Sequence, residues 1–222
     1  MSKARRTLYF DIDGTLMVAH GAGRIAFSRA FEDVYGRLID ISHVNFAGAT
    51  DMGVVQDLLR EQALVSSVDQ QIHFFERLAF HLETNLKKRP PHLLPGVLSF
   101  LKQVAPVWNF ALVTGNTRAC SALKLRYSKL DPYFDIEMGG YGDDDACRNR
   151  MAALAIERTG PPERGYLLGD TPKDIRAAKA NKLISVGVCT GAFTREQLML
   201  ESPDMILDSF EQADVLLAEL CA

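Results

Sequence analysis

Short apolar runs separated by helical patterns limit most strongly how this chain can fold. The first run is Leu8-Tyr9-Phe10, and the five that follow it are residues 110–113, 134–138, 166–168, 184–188 and 205–207. Most are continuously apolar, as strands covered on both faces of a sheet are. Helical patterns lie between them, at about 96–105, 117–130, 148–160, 172–182, 194–201 and 209–220. This alternation predicts an α/β fold with a doubly wound parallel sheet.

A stretch from about 17 to 92 interrupts the alternation, because it has helical periodicity and no convincing strand. Its predicted helices cover about 23–35, a segment that begins after the N-cap Thr50, and about 68–87. We therefore predict two domains. An α-helical cap at 17–92 is inserted into an α/β core formed by residues 1–16 and 93–222.

Composition excludes several classes of function. The chain has 222 residues, is 47% hydrophobic and 24% charged, and carries a net charge of -3, so neither a nucleic-acid partner nor an anionic membrane is expected. No apolar run reaches the about 18 residues of a membrane span. The basic start Met1–Arg6 leads to Asp11 and Asp13, which interrupt any signal-peptide core. Four cysteines without Cys-x-x-Cys spacing favour reduced thiols, so we expect a cytoplasmic protein.

Two carboxylates follow the first predicted strand directly. Asp11 and Asp13 are two residues apart, and in an extended chain such residues project to the same side. At about 4 Å and an effective dielectric constant of about 20, two carboxylates repel each other by about 4 kcal/mol. A pair built at a strand end is therefore expected either to hold a cation or to divide nucleophilic and acid/base roles.

Further polar residues follow two later strands, and parallel sheets bind ligands at this end of their strands. Thr114-Gly115-Asn116 offers a hydroxyl and main-chain N–H groups at a strand-to-helix turn, which suits a phosphate oxygen. In Gly169-Asp170-Thr171-Pro172-Lys173-Asp174, Thr171 is a predicted N-cap and Asp174 occupies the third helical position. A purely capping role for Asp174 is the alternative to a role in the site.

Four motifs in this order resemble the haloacid dehalogenase superfamily. They are Asp-x-Asp-Gly-Thr at 11–15, Thr114 at a strand end, a basic residue near 148, and Gly-Asp-Thr-Pro-x-Asp at 169–174. The chain is most similar to the phosphoglycolate phosphatase-like branch, which has a helical C1-type cap near the N-terminus. The resemblance implies a Rossmann-like core and a Mg²⁺-dependent phosphatase acting on a small phosphate ester, either phosphoglycolate-like or sugar-phosphate-like.

The resemblance also implies catalytic roles. Asp11 would be the nucleophile that forms an aspartyl-phosphate, and Asp13 would protonate the leaving alcohol and then activate water. Thr114 would bind the transferring phosphoryl group. The basic residue of the family is usually Lys, whereas this region offers only Arg148 and Arg150. We choose Arg148, because its distance to the following helix matches the resemblance better and its guanidinium can pair with Asp11 and a phosphate oxygen.

The remaining assignments concern the substrate and the metal. The expected substrate contacts are the main chain of Ile12 and Gly115, together with Asn116, Thr50 and Asp51. His20 and Arg24, near the start of the cap, are further candidates. Oxygen ligands suit Mg²⁺, and the expected set is Asp11, Asp13 through its carbonyl, Asp170 and Asp174.

Three other classes of protein are weighed against this prediction. A sugar-phosphate phosphomutase shares the same motifs and is the nearest alternative. A dehalogenase is disfavoured, because that branch needs no acid two residues after the nucleophile and Asp13 is present. A non-catalytic binding protein of the same fold has no need for the intact motif set. The protein is expected to be a monomer or a homodimer.

Overall fold

The computed structural model describes residues 6–221. Residues 1–5 and 222, which belong to the predicted core, lie outside this range. Most of the basic segment at 1–6, which was considered as the start of a signal peptide, is therefore also outside the described residues. The strands are β1 (Arg6–Phe10), β2 (Met17–Val18), β3 (His92–Leu93), β4 (Asn109–Leu112), β5 (Arg164–Gly169), β6 (Ile184–Val188) and β7 (Met205–Leu207). The helices are α1 (Ala22–Tyr35), α2 (Asp51–Glu61), α3 (Val68–Lys88), α4 (Val97–Val104), α5 (Arg118–Ser128), α6 (Arg148–Thr159), α7 (Pro172–Ala180), α8 (Arg195–Met199) and α9 (Asp214–Cys221).

Five parallel strands form the main sheet in the order β4-β1-β5-β6-β7. Strand β1 lies between β4 and β5, and Phe10 at its end is in register with Leu112 of β4 and Leu168 of β5. Alternate β1 side chains enter different apolar clusters, since Phe10 packs with the core on one face and Tyr9 with that on the other. Both faces of the sheet are therefore covered, which explains the continuous apolar runs and confirms the predicted α/β fold.

The strand predicted at 134–138 is wrong. The chain there forms two short 3₁₀ helices, Asp131–Tyr133 and Ile136–Met138. The Asp135 carboxylate accepts a hydrogen bond from the Glu137 amide at 3.0 Å, and such local turns compete with strand pairing. Phe134 is buried against the aromatic rings of the sheet, so the apolar signal reflected core packing and not an extended backbone.

Helices α1, α2 and α3 make up the inserted region and share an apolar cluster, which includes Phe27, Phe31 and Phe74 and extends to Cys120 of α5. A two-stranded antiparallel ribbon of β2 and β3 lies where the chain leaves the core and returns to it. The predicted domain boundary at 16/17 lies directly before β2, and the boundary at 92/93 lies within β3. The division of the chain into two domains stays a prediction. Among residues 6–221, no helix combines the length and the apolar character needed to cross a membrane.

Candidate active site

The ends of three adjacent strands bring the predicted polar residues together. Asp11 follows β1 and its amide donates to the Leu168 carbonyl of β5 at 3.0 Å. Gly14 adopts a positive φ of 81°, which allows the chain to turn sharply after Asp13. Asp170 follows β5, so its carboxylate reaches the same edge of the sheet as that of Asp11.

Three buried carboxylates form the centre of this site. Oxygens of Asp11, Asp170 and Asp174 lie within 4.8 Å of one another. Burial raises the pKa of Asp11 to about 6 and that of Asp170 to about 8; neighbouring carboxylates add to both shifts, and Arg148 opposes them. A hard cation such as Mg²⁺ would relieve this repulsion, and a set of buried carboxylate oxygens fits its preference for oxygen ligands.

Arg148 places a positive charge in contact with this carboxylate cluster. Its side chain is only 4% exposed, and its Nη2 lies 2.8 Å from Asp11 Oδ1 and 2.6 Å from Asp174 Oδ1. Arg150, by contrast, has a 72% exposed side chain that pairs with Asp145. Of the two arginines considered from the sequence, the structure therefore brings only Arg148 to the cluster.

Lys124 is a residue of the site that sequence reasoning missed. It is 3% exposed, and its Nζ contacts Asp13 Oδ2 and lies 2.6 Å from Asn116 Oδ1. Burial is the largest single influence and would lower the pKa of Lys124, but the nearby carboxylates of Asp13 and Asp51 contribute to a net rise of that pKa. The available signal was its position in α5, because Cys120, Lys124 and Ser128 recur every four residues on one buried face.

Asn116 links the predicted phosphate-binding turn to the acid/base candidate. Its Nδ2 donates to Asp13 Oδ2 at 2.8 Å and to Thr114 Oγ1 at 2.9 Å. Asp13 itself keeps 44% of its side chain exposed. Thr114 is completely buried and lies outside the set of residues that line the cavity described below. Its phosphoryl-binding role stays a prediction, as does that of the Ile12 main chain.

The N-terminus of α2 bonds directly to the loops of the core. The Asp51 amide donates to the Gly115 carbonyl at 2.7 Å, and the Met52 amide donates to the Gly142 carbonyl at 2.9 Å. The Asp51 carboxylate accepts from the Thr117 amide at 2.9 Å, and burial raises the pKa of Asp51 to about 7.

The Thr50 hydroxyl is already used, since it accepts from the Gly53 amide at 3.1 Å and donates to the Ala146 carbonyl at 3.0 Å. Thr50 caps α2, bonds to the core and lies outside the set of residues that line the cavity described below, and its contact with substrate stays a prediction.

A cavity of about 440 Å³ lies between the cap and the core. The core contributes its polar wall, which includes Asp11, Asp13, Asn116, Lys124, Arg148 and Asp170. Asp51, His20 and Arg24 line it from the cap side. Its volume suits a small ligand, and charged residues line it from both the core and the cap side.

A parallel α/β core that carries an Asp-x-Asp turn, a buried arginine and two further carboxylates defines a class of hydrolase. The family model described as haloacid dehalogenase-like hydrolase matches residues 6–182. This chain belongs to the haloacid dehalogenase-like hydrolase family, which confirms the family predicted from the motifs.

Two curated proteins and one solved structure are similar to this chain. The "Probable phosphatase IndB" of Dickeya dadantii (strain 3937) is 26% identical over 213 residues, covering 91% of this chain and 89% of that protein. The phosphoglycolate phosphatase of Salmonella paratyphi A (strain ATCC 9150 / SARB42) is 29% identical over 149 residues, which is 64% of this chain and 58% of that protein. A hydrolase from Pseudomonas syringae superposes with a TM-score of 0.71 at 20% identity, covering 97% of this chain and 99% of that one.

Proposed function

We propose that this chain is a Mg²⁺-dependent phosphatase that hydrolyses the monoester of a small phosphorylated metabolite through an aspartyl-phosphate. The observation that carries the proposal is the pairing of buried Asp11 with Arg148, beside the partly exposed Asp13 in the same cavity. The names of the two curated relatives, both phosphatases, support the reaction class.

In the first step, Asp11 attacks the phosphorus and the ester P–O bond breaks. Arg148 holds Asp11 Oδ1 at 2.8 Å and so fixes the direction of the carboxylate. The Arg148 Nε has no hydrogen-bond partner among the described residues, so the guanidinium retains donor capacity for a phosphoryl oxygen. Arg148 would thus orient the nucleophile and stabilise the charge that develops on the phosphoryl group.

Asp13 would move the proton in both steps. It gives a proton to the leaving alcohol as the ester bond breaks, and it takes one from the water that then attacks the aspartyl-phosphate. That attack releases inorganic phosphate and restores the Asp11 carboxylate. Lys124 and Asn116 hold Asp13 Oδ2, so the orientation of this acid and base is fixed by two neighbours.

The carboxylates of Asp11, Asp170 and Asp174 and the main-chain carbonyl of Asp13 are the groups that would hold Mg²⁺. When bound, the ion would neutralise phosphate charge and polarise the phosphoryl oxygens. Asp174 also has a structural role, because its Oδ2 accepts hydrogen bonds from the Thr171 amide at 3.0 Å and from the Thr171 hydroxyl at 2.7 Å. Capping of α7 and support of the metal site are therefore compatible roles of this one side chain.

Release of phosphate from p-nitrophenyl phosphate, with and without Mg²⁺, tests the proposal. We expect Mg²⁺-dependent turnover that Asp11→Asn abolishes. Asp57→Asn is the matched control, because Asp57 is an exposed surface acid that pairs only with the exposed Arg60 among the described residues. Undiminished turnover by Asp11→Asn would overturn the mechanism. Bisphosphate-dependent isomerisation of a sugar phosphate would instead identify the phosphomutase alternative. The cytoplasmic location and the monomeric or dimeric state stay predictions.

A further inference from the structure

The loop of residues 115–117 lies between β4 and α5, and its middle residue holds the acid/base candidate. Asn116 donates from Nδ2 to Asp13 Oδ2 at 2.8 Å, and its Oδ1 accepts from Lys124 Nζ at 2.6 Å. Asn116 belongs to neither a strand nor a helix, so no regular hydrogen-bond ladder fixes its main chain. The direction of its side chain therefore depends on the contacts that hold the loop on either side.

Asp51 of the cap bonds to the main chain on both sides of Asn116. Its amide donates to the Gly115 carbonyl at 2.7 Å, and its carboxylate Oδ2 accepts from the Thr117 amide at 2.9 Å. The cap and the loop are in close contact here, because a Cβ atom on Gly115 would lie 1.8 Å from the Ala49 carbonyl oxygen. One residue of the cap thus fixes the main chain directly before and directly after the residue that holds the acid/base carboxylate.

Of the two bonds that Asp51 makes to the loop, the one from its carboxylate depends on the identity of the side chain. Thr117 is completely buried and is the N-cap of α5, and the Asp51 carboxylate is the acceptor for its amide. A buried main-chain N–H without an acceptor is unfavourable, so removal of this carboxylate should displace the loop. Helix α5 also carries Lys124, the second group that contacts Asp13, so a shift of its first turn would disturb that contact too.

We propose that Asp51 is a positioning residue through which contact between the cap and the core sets the orientation of Asp13 for proton transfer. The inference rests on the proposed phosphatase function. Asp51 fixes the loop, the loop directs Asn116, and Asn116 and Lys124 together hold Asp13 Oδ2. Asp13 is therefore correctly placed to protonate a leaving alcohol only while the start of α2 is bonded to the core.

Two esters separate this role from a general loss of folding, because ethyl phosphate has a poor leaving group that needs an acid and p-nitrophenyl phosphate has a good one. A smaller folded fraction lowers kcat for both esters by the same factor and cancels in their ratio. Asp51→Ala should lower the ratio of kcat for ethyl phosphate to kcat for p-nitrophenyl phosphate about tenfold, a part of the about 10²- to 10⁴-fold that general acid catalysis supplies.

Two further variants serve as rescue and control. Asp51→Asn keeps an oxygen that can accept from the Thr117 amide, so it should recover the ratio to within about threefold of the parent value. Asp57→Ala should leave the ratio unchanged, because Asp57 lies on the same helix but is an exposed surface acid that pairs with Arg60. Equal losses on both esters in Asp51→Ala, or a change confined to KM, would overturn the inference, since these results indicate a purely structural role or a direct substrate contact.

The route through Asn116 is tested by a double variant and by a readout that needs no turnover. In the Asn116→Ala background, Asp51→Ala should change the ratio by less than about threefold, and full additivity of the two effects would contradict the proposed route. The ¹H–¹⁵N signal of the Asn116 side-chain amide should move in Asp51→Ala and stay in place in Asp57→Ala; an unmoved signal in Asp51→Ala overturns the inference. Failure of the parent protein to hydrolyse p-nitrophenyl phosphate would instead refute the proposed phosphatase function, so the two failures are distinguishable.

Discussion

Replacement of Arg148 by methionine tests the arrangement of the site most directly. The side chain of Arg148 is 4% exposed and contacts Asp11 and Asp174, so Arg148→Met leaves two buried carboxylates without their common countercharge. Removing one partner of a buried ion pair costs about 3–5 kcal/mol of folding stability. Arg148 is also the largest influence that lowers the pKa of Asp11, so its loss should move that pKa further above about 6 and protonate the nucleophile near neutral pH.

The catalytic loss should be larger than a general weakening of the fold would produce. Loss of one group that stabilises developing charge typically lowers kcat about 10²- to 10³-fold. Arg150→Met is the control, because Arg150 is 72% exposed and an exposed ion pair contributes about 0–1 kcal/mol.

Steady-state hydrolysis of p-nitrophenyl phosphate and urea unfolding of both variants give the two measurements. The reasoning is refuted if Arg148→Met retains activity within about twofold of the parent protein, or if Arg150→Met is the more damaged variant.

Two further predictions concern the acid/base pair and the metal site. Lys124→Met should lower kcat about tenfold more for an alkyl phosphate than for p-nitrophenyl phosphate. The reason is that only the poorer leaving group, the alkyl alcohol, depends on a well-oriented acid at Asp13. Equal losses of kcat on both esters would contradict the role of Lys124 in orienting Asp13. For Asp170, whose pKa is raised from 3.8 to about 8, the folded protein loses stability as pH rises through that window. Asp170→Asn should therefore raise Tm at pH 8 without metal but not at pH 4, and should abolish stabilisation by Mg²⁺; a Tm difference independent of pH would be the contrary result.

Much of the fold was predictable because apolar runs report burial, and a doubly wound sheet buries its strands on both faces. Strands β1, β4, β5, β6 and β7 all coincide with predicted runs. The same signal failed at 134–138, where Phe134 is equally buried but the backbone turns under the influence of Asp135. Apolar runs thus indicate that a segment is inside the molecule, and they give less information on its hydrogen-bond partners.

The candidate site was predictable to the extent that its residues follow strands. Asp11 and Asp170 could be located in this way, because parallel strands end at a common edge. Lys124 could not, since it lies in the interior of α5 and reaches Asp13 only through the packing of that helix against the sheet and the cap. The N-cap at Thr50 was correctly identified, but the sequence did not indicate that the same hydroxyl donates to the Ala146 carbonyl of the core.

The main-chain bonds between the cap and the core have a consequence for how such enzymes diverge. The amides of Asp51 and Met52 bind core carbonyls, and each hydrogen bond of this kind contributes about 0.5–1.5 kcal/mol. These bonds use no side-chain atoms, so substitutions among cap side chains that line the cavity, such as Phe27 and Leu82, leave their donors and acceptors in place. Part of the energy that joins the cap to the core is in this way independent of side-chain identity. Such substitutions can therefore accumulate in the cap while these main-chain bonds persist.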